Sequence, residues 1–491
     1  MLLTKAESIW RAGLDGVYPG NLVRRSLKIR EHIVEFSGTE RVSKIGDLNK
    51  KSLDFGSRPR FLKNKFDLSA YERIYLIAFG KAAPAMASGL MDILGDAVRG
   101  GIVVALPDHK ISIPKLRVIE APHPFPDERS LAAGRKILAL AREAGPRDLI
   151  FILLSGGGSA QVCLPLSGIS FEDKRCLTRE LMLRGAGIAE LNIVRKHLSA
   201  VKGGRLAEAA FPAEVVNLVV SDVVGDDLEA VASGPSHWDS SRYEDALAVL
   251  QKYGLWEKAP SSVKKTISGG LAGRIEETLK KENRTFERVS SFVIGNNATA
   301  LDSARRQAEQ LGFKTVILTS SDRGEARFAA KTYVSLLINL AASPKRFKQP
   351  LCLLSGGELV VAVKGKGQGG RNQEFVLAFL LELERQVAAM RTVRSGLWHD
   401  FQKDGFLSGR DWLAASLGTD GIDGNTDAAG AWASPSLLCK AREQGMEAQH
   451  FLDDNDSFHF FKKAGGLIVT GPTGTNVMDL RIFFLTDKQG K

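Results

Sequence analysis

The sequence is poor in cysteine and has no long hydrophobic run, and each absence excludes a class of protein. Its four cysteines among 491 residues lie far apart without a CxxC pair, so neither a disulfide framework nor a metal-ligand spacing is present. No apolar run approaches the ~18 residues of a membrane-spanning helix, and the N-terminal segment is typical of an amphipathic helix rather than a signal peptide. We expect a cytoplasmic protein with no membrane partner, whose cysteines are buried free thiols: Cys163, Cys176, Cys352 and Cys439.

The charge is uneven along the chain. The 67 basic and 56 acidic residues give a net charge of +11, and residues 41–66, with eight basic and two acidic residues, supply +6 of it. This segment lacks the repeated aromatic residues of a nucleic-acid stacking platform. We interpret it as a solvated insertion, with an anion-attracting patch as the alternative, and expect no nucleic-acid partner.

Apolar residues make up 44% of the chain and charged residues 25%, an ordinary globular balance for two or three domains. Short apolar runs alternate with helix patterns of 10–15 residues, which predicts βαβ units. Among the strands expected are residues 73–79, 148–154, 215–220, 292–295, 351–354 and 359–363. The prediction is an α/β protein of two domains, each with a mostly parallel sheet flanked by helices, and an active site in the interdomain cleft. The expected boundaries are 1–240, a helical junction at 241–290, and 291–491 with a surface insertion at 384–411.

Glycine-rich turns follow two of the predicted strands. Ligand sites of open parallel sheets lie beyond the carboxyl ends of the strands, and the backbone N–H groups of such turns can approach phosphate or carboxylate closely. A tight structural turn is the alternative for either turn alone, but their similarity favours a binding role. The first comprises Ser155, Gly156, Gly157, Gly158 and Ser159, where Ser159 is expected to cap a helix, and the second Ser355, Gly356, Gly357 and Glu358.

Acidic turns and two cations complete the pattern. Asp222, Asp420 and Asp423 lie in glycine-spaced turns after apolar runs, where carboxylates can hold Mg²⁺ or act on a reacting group, although helix capping is the alternative. Lys81 follows a strand and a glycine, and Arg371 begins a helix pattern. Phosphoryl transfer needs mainly cations, a metal and positioning. Walker A and protein-kinase motifs are absent from the sequence.

Two weaker motifs leave alternatives open. The spacing of Gly365, Gly367 and Gly370 matches the dinucleotide fingerprint, but the acid expected ~20 residues later is missing. An anion-binding loop is therefore favoured over an NAD site. His123, between two prolines, is equally compatible with the cleft and with a structural role, and His197 is interpreted as a packing or capping residue.

Eight motifs, in order from about residue 70 to 485, together resemble class II glycerate kinases, the family with a C-terminal MOFRL domain. They are AFGKAAPAM, LLSGGGSA, LNIVRKHLSAVKGGRLA, SDVVGDDLEAVASGP, LLSGGE, GQGGRNQEF, SLGTDGIDGNTDAAGA and LIVTGPTGTNVMDL. The resemblance implies transfer of the γ-phosphoryl group of ATP to the 2-hydroxyl of D-glycerate with Mg²⁺, and a MOFRL region at about 350–485. Some members are labelled hydroxypyruvate reductases. A reductase that uses NAD(P)H and a non-catalytic anion- or nucleic-acid-binding protein remain the alternatives.

The resemblance also implies roles for individual residues. Lys81 and Arg371 would be the cations of the site, and their alanine variants are expected to lose ~100-fold in kcat while the fold survives. Asp222 or Asp420 would accept the hydroxyl proton, and we assign the catalytic role to Asp222. Asp420 and Asp423 would hold the metal. Lys196, Asn296 and the two serine-glycine turns would bind substrate or nucleotide phosphate, and a homodimer is possible.

Overall fold

The computed structural model describes residues 2–36, 64–107, 111–342, 350–392 and 410–487. It divides into two compact units. We call Pro19–Gly295 the N-terminal unit, and Met1–Tyr18 together with Asn296–Lys491 the C-terminal unit. Nearly all of the basic segment 41–66, and residues 393–409 of the insertion at 384–411, lie outside the described residues.

The N-terminal unit is built on a six-stranded sheet in which every strand pair is parallel. One of its two central strands, at Asp148–Leu154, is buried at all seven positions, as the uninterrupted apolar run predicts. The chain begins with α1 (Leu2–Gly16), then α2 (Pro19–Ser26) and a small antiparallel sheet of β1 (Leu27–Arg30), β2 (Ile33–Phe36) and β3 (Lys65–Asp67). The large sheet has the order β6-β5-β4-β7-β8-β9, with β4 (Arg73–Phe79), β5 (Val98–Ala105), β6 (Leu116–Glu120), β7 (Asp148–Leu154), β8 (Glu214–Val220) and β9 (Val289–Gly295).

Helices connect these strands except at β5 and β6, between which the described residues contain no helix. They are α3 (Ala83–Leu94), α4 (Glu128–Glu143), α5 (Gly158–Gln161), α6 (Phe171–Leu183), α7 (Ile188–His197), α8 (Arg205–Ala210), α9 (Tyr243–Lys252) and α10 (Ser261–Leu271). Within this set, α6, α7, α9 and α10 contribute apolar residues to a core cluster of their own. The segment 241–290, expected to be a junction, thus packs inside the N-terminal unit.

The C-terminal unit contains a mixed six-stranded sheet of order β10-β11-β15-β12-β13-β14. Only β10 and β11 pair in parallel, since β15 lies between β11 and β12 and runs antiparallel to both, and the β12–β13 and β13–β14 pairs are also antiparallel. The prediction of a mostly parallel sheet therefore does not hold for this unit. Its strands are β10 (Lys314–Asp322), β11 (Leu351–Gly357), β12 (Arg410–Gly418), β13 (Gly430–Ala433), β14 (Leu467–Ile468) and β15 (Asp479–Asp487). Its further helices are α11 (Asn297–Gln310), α12 (Ala326–Ala342), α13 (Arg371–Thr392), α14 (Pro435–Glu443), α15 (Ala448–Asp453) and α16 (Ser457–Ala464).

The predicted α/β class with two helix-flanked sheets is confirmed, while the units divide the chain differently from the expected boundaries. Helix α1 belongs to the C-terminal unit because Ile9 and Trp10 pack with Leu301 of α11. Strand β9 completes the parallel sheet of the N-terminal unit beside β8. Residues 359–363, expected as a strand, form only an isolated bridge at Val360.

All four cysteines are free, as predicted, but the prediction that all are buried is wrong. Cys163 and Cys352 are buried, whereas Cys176 and Cys439 are exposed. The last two lie on amphipathic helices, α6 and α14, at positions between the residues that those helices bury. In the described part of the chain, no helix combines the length and apolarity needed to cross a bilayer.

A hydrogen-bonded pair, His197 and Glu277, joins α7 to the segment after α10. His197, fully buried, places Nδ1 2.8 Å from the Ile193 carbonyl oxygen and Nε2 2.9 Å from Glu277 Oε1. Oxygen acceptors on both sides therefore hold the imidazole ring in one orientation. Burial opposes ionisation of Glu277, but the hydrogen bond from His197, together with those from the Thr278 and Tyr243 N–H groups, lowers its pKa to about 2.

This pair predicts a loss of stability in acid. The ordinary pKa of Glu277 is 4.5 and its pKa in the folded chain is about 2, so the unfolded chain takes up the proton first. This difference in pKa contributes roughly 3 kcal/mol to the free energy of unfolding. The contribution is complete above pH 4.5 and is lost as the pH falls toward 2. Urea unfolding between pH 7 and 3 measures it. Glu277→Gln should flatten this pH dependence and Glu282→Gln, at an exposed position, should not. An unchanged slope in Glu277→Gln would contradict the assignment.

Candidate functional site

The turns that follow β4 and β7 are hydrogen-bonded to each other. Lys81 N–H donates to the Gly156 carbonyl oxygen at 2.8 Å, and Ala82 N–H donates to Ser155 Oγ at 3.0 Å. Gly80 has φ +118°, and a Cβ there would lie 2.5 Å from the Ser155 carbonyl oxygen, so this close approach requires glycine. Lys81 is thereby fixed against the predicted binding turn.

Three side chains surround the first two of the three glycines in the turn at 155–159. A Cβ on Gly156 would lie 1.7 Å from Asp222 Oδ2, and a Cβ on Gly157 would lie 3.0 Å from His123 Cδ2 and 3.2 Å from Lys81 Cγ. We call these five residues the Lys81 cluster. They follow β4, β6, β7 and β8, so they meet where the carboxyl ends of parallel strands place a ligand site. The structure therefore brings Lys81 and Asp222 together, and places His123 with them.

The two serines of this turn, Ser155 and Ser159, have different hydrogen-bond partners. Ser155 is buried and accepts from Ala82, as described above. Ser159 lies inside α5, whose N-cap is Gly157 in the left-handed region, so Ser159 is not the helix cap expected from the sequence. Its Oγ lies 2.6 Å from Ser233 Oγ. Gly158 is packed tightly, since a Cβ there would lie 2.9 Å from the Phe79 ring.

Lys196 is placed in the interior of the N-terminal unit. Only 5% of the residue is exposed, and its Nζ donates to Asp239 Oδ1 at 2.6 Å, with Glu229 Oε2 at 3.9 Å. Burial, together with the nearby Lys196 charge, lowers the pKa of His237 to about 4. The Lys196 ammonium thus has a carboxylate partner within the protein, and its role in phosphate binding stays a prediction.

Arg371, the first residue of α13, forms a bidentate ion pair with Asp479. Its Nε and Nη2 donate to Asp479 Oδ2 and Oδ1 at 2.8 and 2.9 Å, and Nη2 lies 3.3 Å from Glu358 Oε1. Asp479 is fully buried and also accepts from Asn372 Nδ2 at 3.0 Å. Although burial opposes its charge, the Asp479 carboxylate raises the pKa of Arg371. With Asp423, described next, these residues are the Arg371 cluster.

Asp423 caps helix α13. Its two oxygens accept from the N–H groups of Asn372 and Gln373 at 3.0 and 2.9 Å, and burial raises its pKa to about 6. Asp420 is partly exposed, and its Oδ1 accepts from Ile422 N–H at 3.2 Å. Of the two predicted metal ligands, Asp420 is therefore the one whose carboxylate is not enclosed by a helix terminus.

Asn296 caps helix α11, accepting at Oδ1 from the N–H and hydroxyl of Thr299, both at 3.0 Å. Its neighbour Asn297 supports the second serine-glycine turn: Nδ2 donates to the Asp479 carbonyl oxygen at 2.8 Å, and a Cβ on Gly356 would lie 1.9 Å from Oδ1. Ser355, Gly356 and Gly357 are part of β11, so this turn positions Glu358 beside Arg371.

The loop with dinucleotide-like spacing is saturated by the protein's own side chains. The N–H groups of Lys364 and Gly365 donate to Asn455 Oδ1 at 2.8 and 2.9 Å, and that of Lys366 donates to Asp454 Oδ1 at 2.9 Å. Gln368 N–H donates to Asp456 Oδ1 at 2.9 Å. The turn at 454–456 of the same chain thus occupies these four donors, two through the amide oxygen of Asn455 and two through carboxylates, and leaves none of the four for NAD or phosphate.

Sequence reasoning missed the buried charges around Asp479. Arg481 is fully buried, with Nη2 3.2 Å from Asp479 Oδ2 and Nη1 3.2 Å from Asp322 Oδ2. Its guanidinium also lies 5.3 Å from the centre of the Phe375 ring. The available signal was a pair of opposite charges, two residues apart, inside the apolar strand β15, where side chains two apart share one face.

Among the described residues, no three His, Cys, Asp or Glu side chains converge on a point that could hold a metal ion.

Two family descriptions match the chain. A domain of unknown function, DUF4147, matches residues 5–268, and the MOFRL family matches residues 351–479. The first match lies largely in the N-terminal unit and contains the whole Lys81 cluster. The second contains Arg371, Asp423 and Asp479.

Relatives match over most of the chain. A glycerate 2-kinase from Pyrococcus horikoshii is 40% identical, over 85% of this chain and 89% of its own. A D-glycerate 2-kinase from Thermotoga maritima is also 40% identical, over 89% and 96%. A protein of Agrobacterium vitis, named a putative hydroxypyruvate reductase, is 36% identical, over 84% and 99%. The crystal structure of a glycerate kinase from Thermotoga maritima superposes with a TM-score of 0.76, at 36% identity and 99% coverage of both chains.

Proposed function

Because the chain belongs to the class II glycerate kinase family, whose C-terminal part is the MOFRL domain, we propose that it transfers the γ-phosphoryl group of ATP to the 2-hydroxyl of D-glycerate. The products would be 2-phosphoglycerate and ADP, and the reaction would depend on Mg²⁺ and take place in the cytoplasm. The observation that supports this most directly is the 40% identity to two relatives named as glycerate 2-kinases.

In the N-terminal unit, the Lys81 cluster supplies the groups that phosphoryl transfer uses. The Lys81 ammonium would neutralise charge on the transferring group, because this reaction is accelerated mainly by positioning and charge stabilisation. Asp222, whose carboxylate lies against the backbone of Gly156, would accept the proton of the 2-hydroxyl. The serine-glycine turn fixes both residues relative to each other.

In the C-terminal unit, Arg371 would contribute positive charge, and Asp420 is the carboxylate best suited to hold Mg²⁺. When bound with ATP, the metal would neutralise phosphate charge. Asp423 could bind the metal only if its carboxylate stopped capping α13, because both of its oxygens accept hydrogen bonds from N–H groups of that helix. Glu358 and Asp479 hold the Arg371 guanidinium in one orientation.

The test is ADP release from Mg-ATP and D-glycerate, with the product coupled through enolase. A signal through enolase without added mutase would identify 2-phosphoglycerate, and Asp222→Asn serves as the control for a contaminating kinase. ADP release that needs a mutase would place the phosphate on the 3-hydroxyl. Absence of glycerate-dependent ADP would refute the proposal.

A reductase of hydroxypyruvate is the second candidate, favoured by the name of the Agrobacterium vitis relative. The loop that matches the dinucleotide spacing donates its N–H groups to Asp454, Asn455 and Asp456, which counts against it. Oxidation of NADH on addition of hydroxypyruvate, without ATP, would support the reductase over the kinase.

Replacing Arg371 by alanine is expected to destabilise the C-terminal unit as well as slow the reaction. Asp479, fully buried, would lose its bidentate partner, at a cost of about 3 kcal/mol in the free energy of unfolding. The expectation from sequence that the fold tolerates this change is thereby revised. Urea unfolding followed by tryptophan fluorescence measures the loss, and Arg371→Ala with Asp479→Asn should recover part of it. Equal stability of Arg371→Ala and the parent would contradict the role of the pair.

A further inference from the structure

A chain of three hydrogen-bonded side chains leads from the interior of the N-terminal unit to the turn at 155–159. Ser233 Oγ lies 3.0 Å from Asn192 Oδ1 and 2.6 Å from Ser159 Oγ. Ser233 is fully buried and Asn192 is 6% exposed, whereas Ser159 is partly exposed. The chain of hydrogen bonds therefore ends at a partly exposed residue, two residues after Gly157 of the Lys81 cluster.

The direction of each hydrogen bond follows from the chemistry of its partners. A hydroxyl has one hydrogen, and Asn192 Oδ1 is a carbonyl oxygen that only accepts, so Ser233 uses its hydrogen there. Ser233 Oγ must then accept the hydrogen of Ser159. Ser159 Oγ consequently presents lone pairs to a ligand and has no hydrogen left to donate to a phosphate oxygen. This differs from the phosphate-binding role expected from the sequence.

Ser233 is held in this orientation by a backbone turn that is costly to form. Ala232, Ser233 and Gly234 have φ values of +50°, +61° and +57°, and the left-handed region costs a non-glycine residue about 1–2 kcal/mol. The N–H groups of Gly203 and Gly204 donate to the carbonyl oxygens of residues 233 and 234, at 3.2 and 2.8 Å. Local strain that neighbouring segments maintain is common where a side chain must point in one direction.

We propose that Ser159 recognises the acceptor substrate by accepting a hydrogen bond from its non-reacting hydroxyl, the 3-hydroxyl of D-glycerate. The inference rests on the proposed function, in which the 2-hydroxyl gives its proton to Asp222 and leaves the 3-hydroxyl as the remaining alcohol donor. Ser159 thus selects 2,3-dihydroxy acids over 2-hydroxy acids that lack the second hydroxyl. Ser233 and Asn192 are positioning residues that act through Ser159.

The test compares D-glycerate with D-lactate, which lacks only the 3-hydroxyl. In Ser159→Ala, the KM for D-glycerate should rise about tenfold, as for the loss of one hydrogen bond, while the inhibition constant of D-lactate changes less than about twofold. Ser159→Thr, which keeps a hydroxyl, should retain the discrimination. Ser233→Ala frees the Ser159 hydrogen, and this variant should lose part of the discrimination between D-glycerate and D-lactate. The unfolding midpoint of every variant is measured as a control for stability.

Three results would overturn the proposal. Equal weakening of D-glycerate and D-lactate in Ser159→Ala would show that only the shape of the turn matters. A defect that excess Mg²⁺ reverses would make Ser159 a metal ligand, and a defect confined to the KM for ATP would make it a phosphate contact. Calorimetric titration of the two acids without ATP applies the same comparison in the absence of turnover. Failure of the kinase assay and failure of the Ser159 assignment are therefore separate results.

Discussion

Replacing Lys81 by alanine is expected to lower kcat for D-glycerate phosphorylation by about 100-fold or more, the size of loss seen when a preorganised charge-stabilising group is removed. Two hydrogen bonds of the neighbouring backbone, Lys81 N–H to Gly156 and Ala82 N–H to Ser155, do not involve the lysine side chain. The turn should therefore keep its geometry in the variant, and the change in kcat reports on the ammonium.

The enolase-coupled assay at saturating ATP and D-glycerate measures this effect. Lys258→Ala removes a lysine from an exposed position of the same unit and should leave kcat within about twofold, as surface substitutions usually do. Lys81→Arg keeps the charge on a broader, planar group and should recover only part of the rate. A near-normal kcat in Lys81→Ala would remove this residue from the mechanism.

Adding one methyl group at Gly156 is expected to reproduce the loss of Asp222. The new Cβ would lie 1.7 Å from Asp222 Oδ2, so the carboxylate must turn away from its place in the Lys81 cluster. The backbone of Gly156 is not in the left-handed region, so alanine can adopt its backbone conformation, and the three atoms nearest to the new Cβ all belong to the Asp222 side chain. We expect Gly156→Ala and Asp222→Asn each to lower kcat by about 100-fold or more, the contribution of a positioned base.

The double variant distinguishes this displacement from general damage to the turn. If Gly156→Ala acts by moving Asp222, the two losses are not additive, and the double variant should be little slower than either single variant. Gly100→Ala is the matched control, because a Cβ there meets nothing nearer than 3.7 Å. Additive losses, or a Gly156→Ala enzyme with normal kcat, would refute the assignment of Asp222.

The part of the site that the sequence predicts best is the Lys81 cluster. Each of its polar residues follows an apolar run, and parallel strands bring such positions to one edge without any knowledge of side-chain contacts. His123 shows the limit of this argument. Its strand, β6, has a mixed burial pattern, so the sequence left its role open and only the packing against Gly157 placed it.

The Arg371 cluster was harder to predict because its contacts join distant segments. The partner of Arg371 lies 108 residues away on a strand that enters the sheet antiparallel, and no spacing rule connects the two. Likewise, the N–H donors at 364–368 predicted that this loop binds an external anion. Their acceptors are instead side-chain oxygens of residues 454–456 of the same chain. A sequence motif identifies hydrogen-bond donors, but it does not show which acceptor of the same chain already satisfies them.

The position of α1 has a consequence for how this protein is made. Ile9 and Trp10 are translated almost 300 residues before the surface of α11 that buries them. The N-terminal unit is one continuous stretch and can fold during synthesis, as domains generally do. The C-terminal unit, by contrast, must recruit α1 after the strands and helices that follow Asn296 have been translated. A fragment that begins at Asn296 would expose the apolar stripe around Leu301 and should aggregate unless α1 is supplied, as a separate peptide or through a circularly permuted chain.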